Sequence, residues 1–312
     1  MNKFNKPAFI VNPNAGAGSA VKTWDRVRDL AARVIGPYEA GVTTGPGDAM
    51  RLAGEAARTG SDLVVCVGGD GTLNEVVNGL LSNSCGPARA ALGYIPCGTG
   101  CDFSRTLGIP KDPRRAMEVI ASGATRMIDA GRIAFRGNDG TAEHRFFHNM
   151  VSFGLGGEVD ARVNRGAKVL GGFLTFIRAT LVSVFLFRKK RISFQIDDGP
   201  VFETMAWNIA VANGQYHGGG MWVAPHARPD DGLFHVTAIG ALALWEVFFN
   251  LPRLYNGTLM SHSKIRSFTG RCIEAWSPEQ VLLDMDGEQP GSLPVAAELV
   301  PAVLRVAAAP RP

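Results

Sequence analysis

The chain contains 312 residues, of which 46 % are apolar and 19 % are charged. This composition excludes a disordered or fibrous protein, and the length is sufficient for two domains with separate cores. The formal net charge of +4 is too small to indicate a nucleic-acid partner, and none is expected, although it suits an anionic ligand or membrane surface if the charges cluster. Five cysteines without a disulfide framework, and a polar start at Met1–Pro7 without a secretory segment, predict a cytoplasmic location.

Strands and helices are predicted to alternate along the first 121 residues. The apolar run Ala8–Val11 predicts a strand, and we expect Ser19 to cap the helix that follows. The apolar face of that helix is predicted to carry Val21, Trp24, Val27, Ala31 and Val34. Further strands are predicted at Glu39–Thr43, Leu63–Val67 and Ala91–Ile95, and further helices after Gly47, over Thr72–Leu81 and over Pro113–Ala121. This alternation favours an α/β domain with a largely parallel sheet, in which ligands bind beyond the carboxyl ends of the strands.

The run from Val65 to Val77 combines an apolar strand, a glycine-rich turn and the start of a helix, which is typical of a phosphate-binding loop. Gly68, Gly69 and Gly71 let the backbone approach a ligand closely, so N–H groups near the helix start can bind phosphate oxygens. Asp70 would repel that phosphate unless a cation lay between them. No Walker lysine and no G-x-G-x-x-G motif follows a strand here, which argues against P-loop and Rossmann sites. A plain turn between strand and helix is the alternative.

From about Arg126 the sequence changes to alternating segments rich in β-branched and aromatic residues, which predicts a second, β-rich domain resembling a β-sandwich. The turn Asp197-Asp198-Gly199 is predicted to join two strands of a hairpin. We expect the domain boundaries to be 1–128, joined by the final strand at 296–312, for the nucleotide-binding domain and 129–295 for the second domain.

An almost uncharged stretch, Phe173–Phe187, interrupts the β-rich domain and is followed by the basic cluster Arg188–Arg191. It is short for a transmembrane helix and contains Arg178. Two interpretations remain open: a buried core helix, or an apolar flap with basic flanks that touches anionic lipid headgroups and admits an acyl chain.

Six motifs in order resemble those of the bacterial diacylglycerol-kinase-like lipid kinases, relatives of the sphingosine kinases with a nucleotide domain similar to that of NAD kinases. The resemblance covers nearly the whole chain. The motifs are Asn12-Pro13 with its glycine loop, Thr43 before Gly47-Asp48, Gly68–Glu75, Pro96–Phe103, Asp230–Leu233 and Asp286-Gly287-Glu288.

The resemblance implies ATP- and Mg²⁺-dependent phosphorylation of a lipid hydroxyl, with a role in lipid metabolism. The implied nucleotide-binding residues are Asn12, Thr43, Gly68, Gly69, Asp70, Gly71, Thr72, Asn74, Glu75, Thr99 and Asp102. The implied metal ligands are the Asp231 carboxylate and the backbone carbonyls of Arg228 and Leu233, with Asp70 and Asp102 in the surrounding network. Mg²⁺ is usually held by one or two carboxylates together with substrate phosphates, so acids on separate loops suffice.

Catalysis of this kind needs a carboxylate that accepts the hydroxyl proton, and the resemblance points to Asp286 or Glu288. Asp286 is the first choice because it stands at the end of the predicted strand Val281–Asp286, directly before Gly287. One departure from the family pattern is Cys101, which stands where asparagine is usual, and a thiol is a poor substitute for an amide. The histidines lack metal-ligand spacing, so packing or surface roles are expected for His144, His148, His217, His226, His235 and His262.

Two alternatives to the lipid kinase remain open from the sequence. A NAD kinase shares the glycine-rich cradle and phosphorylates a soluble dinucleotide, whereas a nucleotide-sensing regulator would keep the cradle without turnover. The expected partners are a lipid substrate, an anionic surface at the inner membrane face and a second copy in a possible homodimer. Diacylglycerol, a sphingoid base, ceramide and phosphatidylglycerol all offer a hydroxyl beside apolar chains, so the acceptor stays open.

Overall fold

A computed structural model describes residues 4–82, 86–98, 100–165, 180 and 182–308. The chain divides into two compact units, the first formed by Met1–Ala130 with Pro301–Pro312 and the second by Gly131–Val300. Thr99 and most of the apolar stretch at 173–187 lie outside the described residues. The prediction of a flap or a core helix for this stretch therefore also falls outside them.

The first unit alternates strands and helices, as the sequence predicts. Its elements are β1 (Pro7–Val11), α1 (Ser19–Val34), β2 (Glu39–Val42), α2 (Asp48–Arg58), β3 (Leu63–Gly68), α3 (Asp70–Leu81), β4 (Ala91–Pro96), α4 (Asp102–Leu107), α5 (Pro113–Ala121) and the start of β5 (Thr125–Gly137).

The second unit is mostly strand. Its elements are the rest of β5, then β6 (Ala142–Phe147), β7 (Met150–Gly154), α6 (Leu155–Arg165), β8 (Lys190–Ile196), β9 (Phe202–Ala206), β10 (Asn208–Ala212), β11 (Tyr216–His217), β12 (Met221–Trp222), β13 (Phe234–Ile239), α7 (Leu244–Asn250), α8 (Arg253–Asn256), a 3₁₀ turn (Leu259–Ser261), β14 (Ile265–Gly270), β15 (Cys272–Trp276), β16 (Leu283–Met285) and the first part of β17 (Gly291–Ala307).

The sheet of the first unit is parallel. Its strand order is β2-β1-β3-β4, and β17 joins it through the parallel pair Val306 and Leu92. Every residue of β1, β3 and β4 is buried, so both faces of the sheet are covered, which is typical of parallel sheets. The carboxyl ends of β1, β3 and β4 therefore lie at one edge, where their loops meet. This arrangement confirms the predicted α/β domain.

Two local predictions for the first unit were wrong, and one helix was not predicted. The α1 helix begins at Ser19 after a left-handed Gly18, so Ser19 does not cap it, and its Oγ instead donates to the carbonyl of Cys97 at 3.4 Å. Val21 is 43 % exposed, because the buried face of α1 runs through Ala20, Val27 and Ala31. The short helix α4 was not predicted, since its six residues carry no clear apolar repeat.

The second unit contains two antiparallel sheets packed face to face. One has the order β14-β13-β10-β7-β16, and the other pairs β17, β15, β8 and β9, with β5 and β6 beside them. Aromatic rings join the sheets: Phe147 stacks on Phe234 at 5.4 Å, and Phe194 meets Phe268 at 5.7 Å. The predicted β-sandwich-like domain is therefore confirmed, and β8 and β9 form the hairpin expected around Asp198.

No helix within the described ranges is long and apolar enough to cross a membrane.

Candidate active site

Three loops of the first unit converge beyond the carboxyl ends of β1, β3 and β4. The Cys97 N–H donates to the carbonyl of Gly68 at 2.7 Å, which joins the loop after β4 to the end of β3. A Cβ atom on Gly98 would lie 2.8 Å from the Cα of Gly69, and one on Gly16 would lie 2.0 Å from the carbonyl oxygen of Cys97. Only glycine permits these approaches of backbone to backbone, so the cradle is built from closely packed main chain.

Side chains fix this cradle to its neighbours. Asn12 Nδ2 donates to Thr72 Oγ1 at 2.8 Å, which ties the loop after β1 to the first turn of α3. Glu75 accepts from the N–H groups of Gly47 at 2.9 Å and Ala49 at 3.0 Å, so its carboxylate stabilises the start of α2.

The remaining predicted nucleotide residues occupy the same edge or the helix behind it. Thr43 is buried directly after β2, and its N–H donates to the carbonyl of Val11 at 2.9 Å. Gly71 lies in the first turn of α3, and Asn74 is buried one turn further on, where it accepts from Asn78 Nδ2 at 3.0 Å.

Two carboxylates meet at Gly100. Asp70 is the first residue of α3 and Asp102 the first residue of α4, so each lies at the positive end of a helix dipole. A Cβ atom on Gly100 would lie 3.2 Å from Asp70 Oδ2 and 3.3 Å from Asp102 Oδ2, which places both oxygens beside the same glycine. Hard carboxylate oxygens so close together suit a divalent cation such as Mg²⁺. Among the described residues, however, no three His, Cys, Asp or Glu side chains are grouped as metal ligands.

Cys101 stands where the family resemblance of the sequence leads us to expect an asparagine. Its Sγ accepts from the Gly98 N–H and donates to the Gly98 carbonyl, both at 3.1 Å, so the thiol bridges the turn in both directions. Burial, followed by the charge of Asp70, raises the pKa of this thiol to about 12. Cys101 therefore stays neutral and serves the turn as a donor and acceptor.

The predicted metal loop in the second unit is a turn that leads into β13. Asp231 Oδ1 accepts from the Leu233 N–H at 3.1 Å, and Asp231 Oδ2 lies 3.2 Å from His235 Nε2. Gly232 has φ of 74°, the left-handed conformation that lets the chain turn here. Arg228 is exposed just before this turn. The carboxylate of Asp231 is thus oriented by its own turn and by the neighbouring strand.

Asp286 is fully buried against the main chain that precedes β7. Its oxygens accept from the N–H groups of His148 at 3.0 Å, Asn149 at 3.1 Å and Met150 at 2.9 Å, and His148 Nδ1 lies 2.8 Å from Oδ2. Burial alone would raise the pKa of Asp286, but the charge of His148 and these hydrogen bonds outweigh it and lower the pKa. Asp286 therefore anchors the turn between β6 and β7 as a carboxylate.

Glu288 lies at the surface two residues further on. Its side chain is 4.0 Å from Arg145 Nη1, and its backbone pairs with that of Met285. Asp286 has φ of 50° and Gly287 has φ of 88°, so the chain bends sharply after β16. Because of this bend, the Asp286 side chain points toward the buried backbone before β7. A strand that continued without a bend would give it a different direction.

An apolar cavity of about 150 Å³ lies in the second unit between β7, α6 and α7. Most of its lining is aliphatic or aromatic, including Val159, Val184, Trp207, Val247 and Leu251. A polar group breaks this lining, and it consists of Ser152, Asp160, His217 and Asp284. The cavity therefore offers an apolar volume with a few polar groups, which is typical of small-molecule sites.

Asp284 is the centre of the polar group. It lies on β16 opposite Ser152 of β7, and its Oδ2 is 2.5 Å from His217 Nε2 and 3.4 Å from Ser152 Oγ. Burial, followed by the negative charge of Asp284, raises the pKa of Asp160 well above its usual range. In its protonated form Asp160 donates a hydrogen bond to Asp284, so the two acids belong to one site.

The first part of the chain, residues 6–133, matches the model of the diacylglycerol kinase catalytic domain, and residues 149–308 match the YegS C-terminal NAD kinase beta sandwich-like domain. A "Probable lipid kinase YegS-like" of Chromohalobacter salexigens is 30 % identical over 299 residues, which cover 90 % of this chain and 88 % of that protein. The chain belongs to the diacylglycerol kinase-like family of lipid kinases. The family resemblance seen in the sequence is therefore confirmed.

Other relatives of this lipid kinase agree. A "Diacylglycerol kinase" of Staphylococcus aureus (strain bovine RF122 / ET3-1) is 30 % identical over 92 % of the kinase and 87 % of the relative. A crystal structure of a protein described as "a putative diacylglycerol kinase" from Bacillus anthracis str. Sterne superimposes with a TM-score of 0.80 at 27 % identity, covering 99 % of each chain.

The predicted nucleotide residues that the structure describes lie at one edge of the first sheet or in the helix behind it, whereas the polar end of the cavity was not predicted from the sequence. His217 was expected to be a packing or surface residue, and neither Asp160 nor Asp284 was singled out. The available signal was an acid at Asp284 inside an otherwise apolar strand, since buried acids need partners.

Proposed function

We propose that this chain transfers the γ-phosphate of ATP to a hydroxyl of a lipid in a Mg²⁺-dependent reaction. The apolar cavity with its polar group around Asp284 carries this proposal. An acyl chain suits the aliphatic lining, and a hydroxyl beside that chain can exchange hydrogen bonds with His217 or Asp284. Diacylglycerol is the first candidate acceptor, because two of the relatives described above bear the name diacylglycerol kinase.

ATP is proposed to bind at the loops after β1, β3 and β4. The packed backbone of Gly69 and Gly98, with the start of α3, supplies N–H groups suited to phosphate oxygens. Asn12, Thr43 and Thr72 would border this site, and Thr99 follows from the family pattern. Glu75 would act indirectly, because its carboxylate accepts a hydrogen bond at the start of α2.

Mg²⁺ is proposed to be held by Asp70 and Asp102, whose oxygens flank Gly100. Within the second unit, the family pattern gives a separate candidate cation site at the Asp231 carboxylate with the carbonyls of Arg228 and Leu233. A bound Mg²⁺ ion would neutralise charge on the phosphates during transfer. The contacts of Asp231 with Leu233 and His235 keep its carboxylate oriented before any cation binds.

The proton of the attacking hydroxyl has three candidate acceptors. The family pattern gives this role to Asp286 or Glu288, whereas the geometry favours Asp284. Asp286 already accepts three backbone N–H groups, so its protonation would break those bonds, while Asp284 lines the cavity and contacts His217. We therefore propose Asp284, oriented by His217, as the acceptor and Asp286 as the anchor of the neighbouring turn.

The experiment is transfer of label from γ-labelled ATP to a panel of diacylglycerol, a sphingoid base, phosphatidylglycerol and NAD, with Mg²⁺ present or chelated. We expect Mg²⁺-dependent labelling of one lipid. Labelling of NAD alone would favour a NAD kinase, and ATP binding without any transfer would favour a nucleotide-sensing regulator.

A cavity-filling variant links that activity to the apolar cavity. We expect Val247→Phe to raise the KM for the lipid while ATP binding stays unchanged, because Val247 lines the cavity. Val201→Phe, at an exposed position, is the matched control. An unchanged KM in a folded Val247→Phe protein would contradict the assignment of the cavity to the lipid.

A further inference from the structure

Two neighbouring helical segments of the second unit, residues 182–186 and α7, expose large apolar side chains. Phe185 and Leu186 are each 62 % exposed, Trp245 is 64 % exposed and Phe249 is 78 % exposed. The ring of Phe185 lies 5.3 Å from that of Phe248, and the rings of Trp245 and Phe249 are 6.2 Å apart. These contacts place Phe185 against α7 and Trp245 beside Phe249. We name the four exposed side chains, Phe185, Leu186, Trp245 and Phe249, the aromatic surface.

The same two segments face the apolar cavity on their other side. Val184 of the first segment and Val247 of α7 line the cavity, while Phe185 and Phe249 point outward. Single exposed apolar residues are common, but a cluster of this size marks a binding surface. The aromatic surface therefore lies directly outside the wall of the proposed lipid site.

A second cavity, of about 220 Å³, adjoins the aromatic surface and carries positive charge. It is lined by Leu186 and Phe187 together with the polar residues Glu158, Arg162, Ser183, Arg188 and Lys190. Lys190 Nζ lies 3.2 Å from Glu279 Oε2, outside this lining. Lys190 is thus neutralised by Glu279, and the remaining cations of the lining, Arg162 and Arg188, face the single carboxylate of Glu158.

The polar atoms of this basic cavity are poorly satisfied. Ser183 is only 1 % exposed, and within the described part of the chain neither its Oγ nor Arg162 Nε has a hydrogen-bond partner. A buried hydroxyl and a guanidinium nitrogen without partners cost free energy, which an anion with several oxygens would recover.

We propose that the aromatic surface inserts into the interfacial layer of a bilayer containing anionic phospholipids, and that the basic cavity binds a headgroup phosphate. Tryptophan and phenylalanine beside arginine and lysine are typical of segments that lie in the membrane interface. The one acid on α7, Glu246, is neutralised by Lys264 at 2.7 Å and so does not oppose an anionic surface. The proposal rests on the proposed lipid kinase function, because docking there would bring the cavity wall to the acceptor.

The test is sedimentation with vesicles of phosphatidylcholine, with and without phosphatidylglycerol, in the absence of ATP. We expect wild-type protein to bind the anionic vesicles preferentially, with a blue shift of tryptophan fluorescence. Trp245→Ala/Phe249→Ala should reduce the partition coefficient about tenfold or more, and Arg162→Gln/Arg188→Gln should do so on anionic vesicles.

Matched controls carry the same changes elsewhere. Trp276→Ala/Met205→Ala removes two exposed apolar side chains of the second unit, and Arg58→Gln/Arg114→Gln removes two exposed charges of the first. We expect both to bind vesicles as wild type does. Circular dichroism of every variant establishes that it is folded, and Arg188→Gln alone serves if Arg162→Gln unfolds the protein.

Several results would overturn the proposal. The first is equal binding of wild type to neutral and anionic vesicles, and the second is unchanged vesicle binding of the aromatic variant. The third is thermal stabilisation by inorganic phosphate without vesicle binding, which would assign the basic cavity to a soluble anion. Binding of the aromatic surface to a protein, with no binding to vesicles, would likewise reject the bilayer as its partner. Vesicle binding without lipid phosphorylation would leave docking intact and reject the proposed kinase function.

Discussion

His217 Nε2 lies 2.5 Å from Asp284 Oδ2 at the polar group of the apolar cavity, although 67 residues separate them in the chain. An ionised Asp284 can only accept a hydrogen bond, so with that carboxylate Nε2 of His217 is the donor of this contact. The pair is therefore oriented before a substrate arrives. Such an arrangement is suited to accepting a proton from a hydroxyl bound in the cavity.

Asp284→Asn should lower kcat for lipid phosphorylation by about 10²-fold to 10⁴-fold, because the amide cannot accept the hydroxyl proton. ATP binding should remain unchanged. His217→Gln, which keeps a donor for Asp284, should lose less activity than His217→Leu. Separate measurement of kcat and KM checks these outcomes, with Asp198→Asn, in an exposed hairpin turn, as the control. Normal turnover in Asp284→Asn together with a loss in Asp286→Asn would return the proton acceptor to Asp286.

Asp286→Asn should destabilise the protein by about 3 kcal/mol at neutral pH, because a carboxylate that accepts three backbone N–H groups becomes a neutral amide. The pKa of Asp286 is lowered in the folded state, so its contribution is present above the unfolded pKa and is lost as the pH falls through the folded one. Urea unfolding of wild type and variant between acid and neutral pH measures this. Equal stability at pH 7 would show that these bonds do not anchor the turn.

The fold could be predicted largely from local sequence. Apolar runs such as Leu63–Val67, followed by glycine and a helix, specify a parallel sheet because its strands are buried on both faces. Alternation in β8, where Ile192 and Phe194 point inward, specifies the antiparallel sheets in the same way. Both signals depend only on neighbours within a few residues.

The candidate site was only partly predictable, because its parts come from distant segments. The pair of Asp160 on α6 and Asp284 on β16 is created by the packing of a helix against a sheet. The bend at Asp286, with φ of 50°, is equally invisible in a pattern that places alternate residues on one face. The family motif Asp286-Gly287-Glu288 indicates candidate acids, and the packing of the chain determines the orientation of each one.

Gly98→Ala should weaken ATP binding at least about tenfold and lower the melting temperature, because the new Cβ would lie 2.8 Å from the Cα of Gly69. Both atoms belong to the main chain or are fixed to it, so no side-chain rotation relieves the contact. Gly86→Ala is the control, since a Cβ there meets nothing within 4 Å. Calorimetric titration with ATP gives the affinity. Wild-type affinity in Gly98→Ala would show that the two glycine turns need not touch.

Asp160→Asn should make the protein more stable than wild type at neutral and alkaline pH. Burial and the charge of Asp284 raise the pKa of Asp160 in the folded state, so wild type is most stable below the unfolded pKa of about 3.9 and loses stability as the pH rises through the folded pKa. An asparagine donates a hydrogen bond to Asp284 without an ionisable proton, so it keeps the contact and avoids that loss.

The difference in unfolding free energy between Asp160→Asn and wild type should therefore widen by up to ~1.4 kcal/mol per pH unit above pH ~4 and level off once Asp160 ionises in the folded protein. Denaturant unfolding at a series of pH values measures it, and Asp198→Asn should track wild type throughout. A difference that is independent of pH would mean that Asp160 is already ionised, and the two acids would then not share a proton.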